Sequence, residues 1–270
     1  MGWGLLALLV INEGDMKFIF YGTAPGMPVI SKRHSCVRVT LGKLNFIIDC
    51  GEGTTQAFLE HNDDVNDLDL IFLTHWHPDH SSGIFILLQM MAMKKRTKTL
   101  HLFIPENKTD FYRTLELFYL FHQKLSFKLE LKYCDEIENT FPEISHFYTD
   151  HLYGNTEAVA SYNLKNECLS FGVKIKSNDR VLIYTSDIVS FTSIQEYLSD
   201  CDFCITDGIH PSLDEFQELN KVIKDQILLT HGLGEGVEEM VKKNNKFKIV
   251  NDGEEFVILE NGKIVCVKPH

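Results

Sequence analysis

Residues 74–80 read Thr-His-Trp-His-Pro-Asp-His, three histidines and an aspartate within seven positions. Imidazole and carboxylate are the groups that bind zinc, manganese or iron, so this crowding points to a metal site. On a strand that ends at Thr74 and opens into a turn, His75 and His77 would grip one ion. Asp79 and His80, displaced along the turn, would face a second. Two ions need more ligands than these four. Later apolar runs end in polar residues that could supply them: His151 follows FYTD, Asp187 closes VLIYTSD and His231 closes QILLTH. Each alone would more often be a strand cap or a solvent-facing residue; together with the heptad they read as ligands at the ends of a rigid scaffold. His146 stands five residues before His151. Divalent ions about 3.5–4 Å apart share a water, lower its pKa towards about 7 and polarise a phosphoryl or carbonyl oxygen, which is hydrolytic chemistry.

The elements that must position these residues form two similar halves. In the first, KFIFYG, CVRVTL and LNFIID are β-branched or aromatic runs, the latter two joined by a turn at Gly42-Lys43. LDLIFLT, ending at Thr74, is continuously apolar and suits a strand buried on both faces. Ser81 to Met93 changes to a helical period, and residues 108–123 predict a second helix with an aromatic stripe at Phe111, Phe118, Tyr119 and Phe121. Core or lid packing is the first reading of that stripe, and a dimer or substrate surface the second. The second half repeats the plan. SFGVKIK and RVLIYTSD flank a turn at Ser177-Asn178-Asp179, FCITDG and QILLTHG are buried strands, and SLDEFQELNKVIK between them is helical. FVILENGKIVCVK closes the chain as a hairpin about Asn261-Gly262. No linker-like or low-complexity segment interrupts this, so residues 16–270 are expected to form one layered α/β domain.

Composition narrows the classes. Hydrophobic residues at 44% and charged residues at 24% are the balance of a globular chain rather than a long disordered one. With 26 basic and 38 acidic residues the formal charge is −12, which repels polyanions at long range and disfavours broad nucleic-acid binding. The basic run Lys94-Lys95-Arg96-Thr97-Lys98 reads as a solvated helix end, with a phosphate-recruiting patch as the alternative. Seven scattered cysteines predict reduced thiols and a cytoplasmic location, and Cys201-Asp-Phe-Cys204 predicts burial rather than metal or redox chemistry. The apolar run GWGLLALLVI is too short for a span of about 20 residues and lacks a basic flank or cleavage site. Residues 1–15 are expected to be a dispensable extension before a strand that starts at Met16, with no membrane attachment.

The heptad and its surroundings resemble the metallo-β-lactamase superfamily and, within it, the ribonuclease Z-like branch. Three segments carry the resemblance: His75-Trp76-His77-Pro78-Asp79-His80, the Gly-rich Asp49-Cys50-Gly51-Glu52-Gly53-Thr54, and Gly22-Thr23-Ala24-Pro25-Gly26-Met27-Pro28. The resemblance implies an αββα sandwich with its metals at strand ends along one edge. It implies His75, His77 and His151 on one ion, Asp79, His80 and His231 on the other, and Asp187 between them. Asp49 would orient ligands through hydrogen bonds. Asp79 would also orient or deprotonate the shared water. His210, in ITDGIHPS, would protonate the leaving oxygen and Asp207 would orient its ring, as general acid catalysis requires. Two divalent ions are implied, zinc first, with manganese or iron as alternatives. A homodimer is implied as well, for which the aromatic helix offers an interface.

Departures from the branch bear on substrate. Only 35 residues separate His151 from Asp187, too few for the long tRNA-clamping arm of the processing enzymes. Their Gly-Tyr-Arg is here Ser161-Tyr162-Asn163, and their His-Ser-Thr is His210-Pro211-Ser212. Because RNA binding draws most of its affinity from phosphate contacts, the expected partner is a small anionic phosphodiester or related ester, with RNA disfavoured. Cleavage of tRNA precursors at the 3′ side is the alternative. An oxygen-reducing diiron protein would carry glutamate at His77 and a flavin domain, and a silent binding module would have lost ligands; neither pattern stands here.

Overall fold

The computed structural model describes residues 15–259 and 263–268. The expected extension therefore lies outside the described residues except for Asp15, as does the Asn261-Gly262 turn.

The first half runs β1 (Met16–Gly22), β2 (Cys36–Leu41), β3 (Leu44–Ile48), α1 (Thr54–Glu60), β4 (Leu70–Phe72), α2 (Pro78–Ser81), α3 (Ile84–Met93), β5 (Leu100–Ile104), α4 (Lys108–Leu117) and β6 (Leu129–Tyr133). The second runs β7 (Ile144–Tyr148), α5 (Thr156–Ser161), β8 (Phe171–Ser177), β9 (Arg180–Tyr184), α6 (Gln195–Leu198), β10 (Phe203–Asp207), α7 (Leu213–Val222), β11 (Gln226–Thr230), α8 (Val237–Lys243) and β12 (Phe247–Ile249). Strands β13 (Glu255–Ile258) and β14 (Ile264–Lys268) follow. They pair with each other, but β13 joins β1 antiparallel, so the end of the chain returns to the first sheet rather than completing the second. The sheet orders are β14-β13-β1-β2-β3-β4-β5-β6 and β12-β11-β10-β9-β8-β7.

Strand alternation builds the layers. Along β1, Phe18 and Phe20 enter a core shared by both sheets, while Ile19 and Tyr21 face the helices outside. Phe46 and Ile48 oppose Ile47 in the same way, as do Leu70 and Phe72 against Ile71. In the second sheet Leu182, Tyr184, Phe203, Ile205 and Leu228 meet that shared core, and Ile183, Cys204, Ile227 and Leu229 turn to the outer helices. Side chains two residues apart share a face, so strands apolar at nearly every position require a sheet covered on both sides. Three apolar layers separated by two sheets make the four-layer αββα sandwich expected from the sequence.

Local expectations meet mixed outcomes. Leu41 pairs with Leu44 across Gly42-Lys43, and Ser177 pairs with Arg180 across the second expected turn. The single helix expected over 81–93 is broken at Ser82–Gly83 into α2 and α3. At Gly83 a Cβ would lie 2.2 Å from the Gly51 carbonyl oxygen, so this break lets the loop after β3 press against the loop after β4. The helix expected over 108–123 ends at Leu117, and Tyr119 takes φ 59°. Its aromatic stripe therefore splits. Phe111 is buried against Trp76 and Phe85, whereas Phe118 and Tyr119 are exposed. All seven cysteines are unpaired, and burial drives the Cys201 thiol up to about 12 and Cys204 well above its usual range. Among the described residues no helix is long and apolar enough to cross a membrane.

The basic run after α3 is the expected solvated helix end at Lys94, Lys95 and Lys98, which are exposed, but not at Arg96. Arg96 is 1% exposed and donates to the carbonyl oxygens of Val65, Asn66, Leu68, Lys98 and Thr99. Lys98 pairs with Asp69 at 2.7 Å. The guanidinium fork thus staples the loop before β4 to the loop before β5. Arg96→Ala should lower stability by roughly 3 kcal/mol, because buried carbonyls lose their donors. A urea titration checks this, with metal content expected to stay unchanged.

Candidate metal centre

The candidate ligands follow the ends of strands, of which β7, β9 and β11 run in one direction in the second sheet. His75 and His77 come after β4, Asp187 after β9, His231 after β11 and His151 after β7. Three of the turns use left-handed backbone at residues other than glycine: Asp49 (φ 63°), Ser186 (φ 55°) and His231 (φ 64°). Such conformations cost free energy and persist where the surroundings enforce them, which is common at functional sites. The loops are also cross-tied. Asp150, beside His151, accepts from the backbone N–H groups of Val189 (2.8 Å) and Ser190 (3.1 Å), just beyond Asp187.

Two groups of side chains converge. Ligand atoms of His75, His77, His151 and Asp187 lie within 4.8 Å of one another, as do those of Asp79, His80 and His231. Asp187 reaches both: its Oδ2 is 3.4 Å from His151 Nε2 and 3.1 Å from His231 Nε2, and its Oδ1 is 3.3 Å from His80 Nε2. Asp79 Oδ2 sits 3.4 Å from His80 Nε2 and 3.7 Å from His231 Nε2. His146 stands apart, with Nδ1 3.1 Å from Glu138 Oε1, so the structure brings His151 and not His146 into the cluster.

Second partners set which ring atom of each histidine faces inward. His80 Nδ1 lies 2.8 Å from Asp49 Oδ2. Asp49 Oδ1 accepts from the Thr74 N–H (2.9 Å) and hydroxyl (2.8 Å). A hydroxyl has one proton, so Thr74 Oγ1, spent on Asp49, is left to accept from His75 Nδ1–H at 3.1 Å. Ser35 Oγ holds His231 Nδ1 at 3.1 Å. With their Nδ1 atoms engaged, these three rings turn Nε2 toward the centre, as ligating histidines do. Ser35, Thr74 and Ser186, whose hydroxyl is 2.8 Å from that of Thr74, went unread in the sequence. Thr74 had a signal, as the first letter of the heptad; Ser35, 196 residues from His231, had none.

The site fits divalent cations. Nε2 of His75, Nε2 of His80 and Oδ1 of Asp187 are buried without hydrogen-bond partners, an arrangement that costs free energy unless something satisfies them. Nitrogen and carboxylate donors suit zinc, manganese or iron. Burial, reinforced by the neighbouring His80 charge, pushes His75 well below the usual histidine range, which keeps its ring in the neutral ligand form. Burial likewise takes His151 down to about 4. His80 behaves oppositely: burial alone would lower it, but the carboxylates of Asp187 and Asp49 outweigh burial and hold it well above its ordinary value. Negative charge that favours a proton there favours a metal cation equally.

His210 stands at the rim. Its Nδ1 is 2.5 Å from Asp207 Oδ2, and this bond raises its pKa. The Asp207 carboxylate is buried and also accepts from the Ile209 N–H at 2.7 Å. The His210 ring is 4.9 Å from that of His151 and 5.9 Å from that of His231, centre to centre. Its side chain keeps 35% exposure, enough to meet a substrate.

Comparison with known proteins adds to this geometry. The family described as Anti-Pycsar protein Apyc1 matches residues 16–256. The ribonuclease Z of Thermoplasma acidophilum is 36% identical over 91 residues, 34% of this chain and 30% of that protein. The chain spans less than half the length of the curated relatives it matches. Among solved structures, the metallo-β-lactamase fold protein YhfI from Bacillus subtilis superimposes with a TM-score of 0.71 at 18% identity, covering 90% of this chain and 99% of that one. The short form of human tRNase Z gives 0.66 at 17%, covering 93% and 99%.

The repeated ribonuclease Z matches overturn the expectation that the partner is a small ester with RNA disfavoured. That expectation leaned on a net charge of −12, which describes the distant field. Bound divalent cations would be the largest local charges in the site and invert its sign. Matched along residues 16–256 and built on a sandwich that carries ligand groups at one edge and has the metallo-β-lactamase fold, the chain belongs to the anti-Pycsar protein Apyc1 family.

Proposed function

We propose that the chain is a binuclear phosphodiesterase that cleaves a ribonucleotide phosphodiester, with a tRNA precursor cut on its 3′ side as the first substrate. The observation that carries the reaction class is Asp187, whose two carboxylate oxygens touch histidines of both ligand groups. RNA comes first because the curated relatives are ribonucleases Z. A compact nucleotide phosphodiester is the second reading. It is favoured by the short stretch from His151 to Asp187, of which residues 156–161 form the six-residue α5 and no clamp-like arm.

In this reading His75, His77 and His151 would hold one ion, Asp79, His80 and His231 would hold the other, and Asp187 would serve both. When bound, two zinc ions would supply hydroxide at neutral pH and polarise the phosphoryl oxygen, with manganese and iron as alternatives. The chain does the rest. Asp49 and Thr74 fix the rings of His80 and His75, and Asp79 orients the attacking water. Asp207 holds His210 through Nδ1, so Nε2 is left to give a proton to the departing oxygen. We also assign a homodimer through the exposed Leu117, Phe118 and Tyr119 and a cytoplasmic location consistent with unpaired thiols.

Two measurements test this. EDTA should abolish turnover and lower the melting temperature, since a ligand of the native state alone stabilises it; zinc should restore both. The metal-loaded protein should cut a tRNA precursor and turn over bis-p-nitrophenyl phosphate poorly. The reverse preference, or faster turnover of a cyclic nucleotide, would select the second reading. Hydrolysis of none of them would sink both.

A further inference from the structure

Beside the metal centre opens a cleft of about 340 Å³ that shares His77 as a wall. Trp76, Leu152, Val159 and Leu164 make it largely apolar, and Asn155 and Asn166 stand on its lining. We propose that this cleft is a nucleobase subsite, holding the base attached to a sugar next to the scissile phosphate. The proposal rests on the phosphodiesterase reading above and adds what that reading leaves open, the part of the substrate that is recognised.

Charge and size favour this occupant. Among the described residues no lysine or arginine lines the cleft, and Glu106 does, so it repels a phosphate and directs that group to the candidate metal ligands next door. Ligand pockets range over roughly 300–1,000 Å³, and this one, at the low end, suits a flat ring system rather than a duplex. Carboxamides of Asn155 and Asn166 carry both donors and acceptors, as reading a base edge requires.

The wall is also rigid. The Trp76 indole lies on Phe111 at 5.7 Å and 24°, and its Nε1–H donates to the Glu106 carbonyl at 3.1 Å, so it cannot swing. The Glu106 carboxylate takes the Asn107 side-chain amide at 2.9 Å and the Glu167 N–H, pinning the segment that carries Asn166 to the opposite side. A surface ordered in advance loses less freedom when a ring packs against it.

Trp3 and Trp76 are the two tryptophans of the chain, so a Trp3→Phe protein reports on Trp76 alone. In that background adenosine and uridine 5′-monophosphates should quench tryptophan fluorescence saturably, and ribose 5-phosphate, which lacks a base, should not. Val159→Phe, which fills the cleft, should weaken nucleotide binding at least tenfold while leaving metal content unchanged. If that variant is misfolded by circular dichroism, Leu164→Ala at an exposed position replaces it, with a loss of about threefold expected, on the scale of one trimmed apolar contact. Base-independent quenching, or nucleotide affinity untouched by both variants, overturns the subsite. Were hydrolysis of bis-p-nitrophenyl phosphate intact in that case, the phosphodiesterase reading would stand without it. The same variants assayed on a tRNA precursor and on a cyclic nucleotide identify whose base is bound, by which KM rises.

Discussion

Asp187→Ala should lose turnover by on the order of 10³-fold, the scale of removing one preorganised charged group from an active site, and should also lose bound metal. Its carboxylate is buried at 2% exposure, and three imidazoles approach its oxygens within 3.4 Å. Although burial opposes ionisation, the neighbouring His80 and His231 hold Asp187 well below the usual carboxylate range, so it carries its negative charge at every pH where an assay would be run. Without that charge the two ligand groups face each other as imidazoles plus Asp79 alone, and cations placed there would repel with nothing between them. Metal analysis should fall from two ions per chain towards one or none, and Asp187→Asn, which keeps the shape, should lose metal too. Retention of two ions with full activity would remove Asp187 from the bridging role.

His210→Ala should cut kcat by about 10²–10⁴-fold, the usual contribution of a positioned general acid, while two ions stay bound and KM changes little. The ring is oriented by Asp207 and not by the ligand groups, so its removal leaves His75, His77, His80 and Asp49 in place. The geometry also names the competing outcome. Ligand atoms of His210, Asp187 and His231 lie within 4.8 Å of one another. If His210→Ala loses an ion along with activity, the residue is a ligand rather than a proton donor. Asp207→Asn should produce a smaller loss in kcat with metal retained, because the ring survives but its orientation weakens. A substrate whose leaving group needs no proton, such as bis-p-nitrophenyl phosphate, should be hurt less by His210→Ala than a ribonucleotide.

Much of the centre was legible because chemistry demands unusual residues in short order. Three histidines and an aspartate within seven positions have few structural uses, and strand-terminal Asp187 and His231 stand out against the apolar runs they close. The choice between His146 and His151 was not legible. Both follow the same strand region, and only the path of the turn after β7, tied by Asp150 to the segment beyond Asp187, carries one ring inward and leaves the other beside Glu138. The basic run at 94–98 was misread at Arg96 alone, for a related reason. A charge count does not say that Arg96 is buried among five carbonyl oxygens contributed by separate loops.

Unbroken apolar runs along β4, β10 and β11 determined by themselves that strands are covered on both faces, and hence the layered sandwich. The heptad likewise determined that candidate metal ligands crowd at the end of β4. Both are local properties, because side-chain direction repeats every two residues and ligand crowding needs no distant partner. Tertiary structure alone decided which hydroxyl turns each ligand ring, that β13 and β14 return to the first sheet, and that a rigid apolar cleft lies beside His77. Those depend on contacts between residues as far apart as Ser35 and His231, and sequence spacing carries no information about how loops from different strands meet in space.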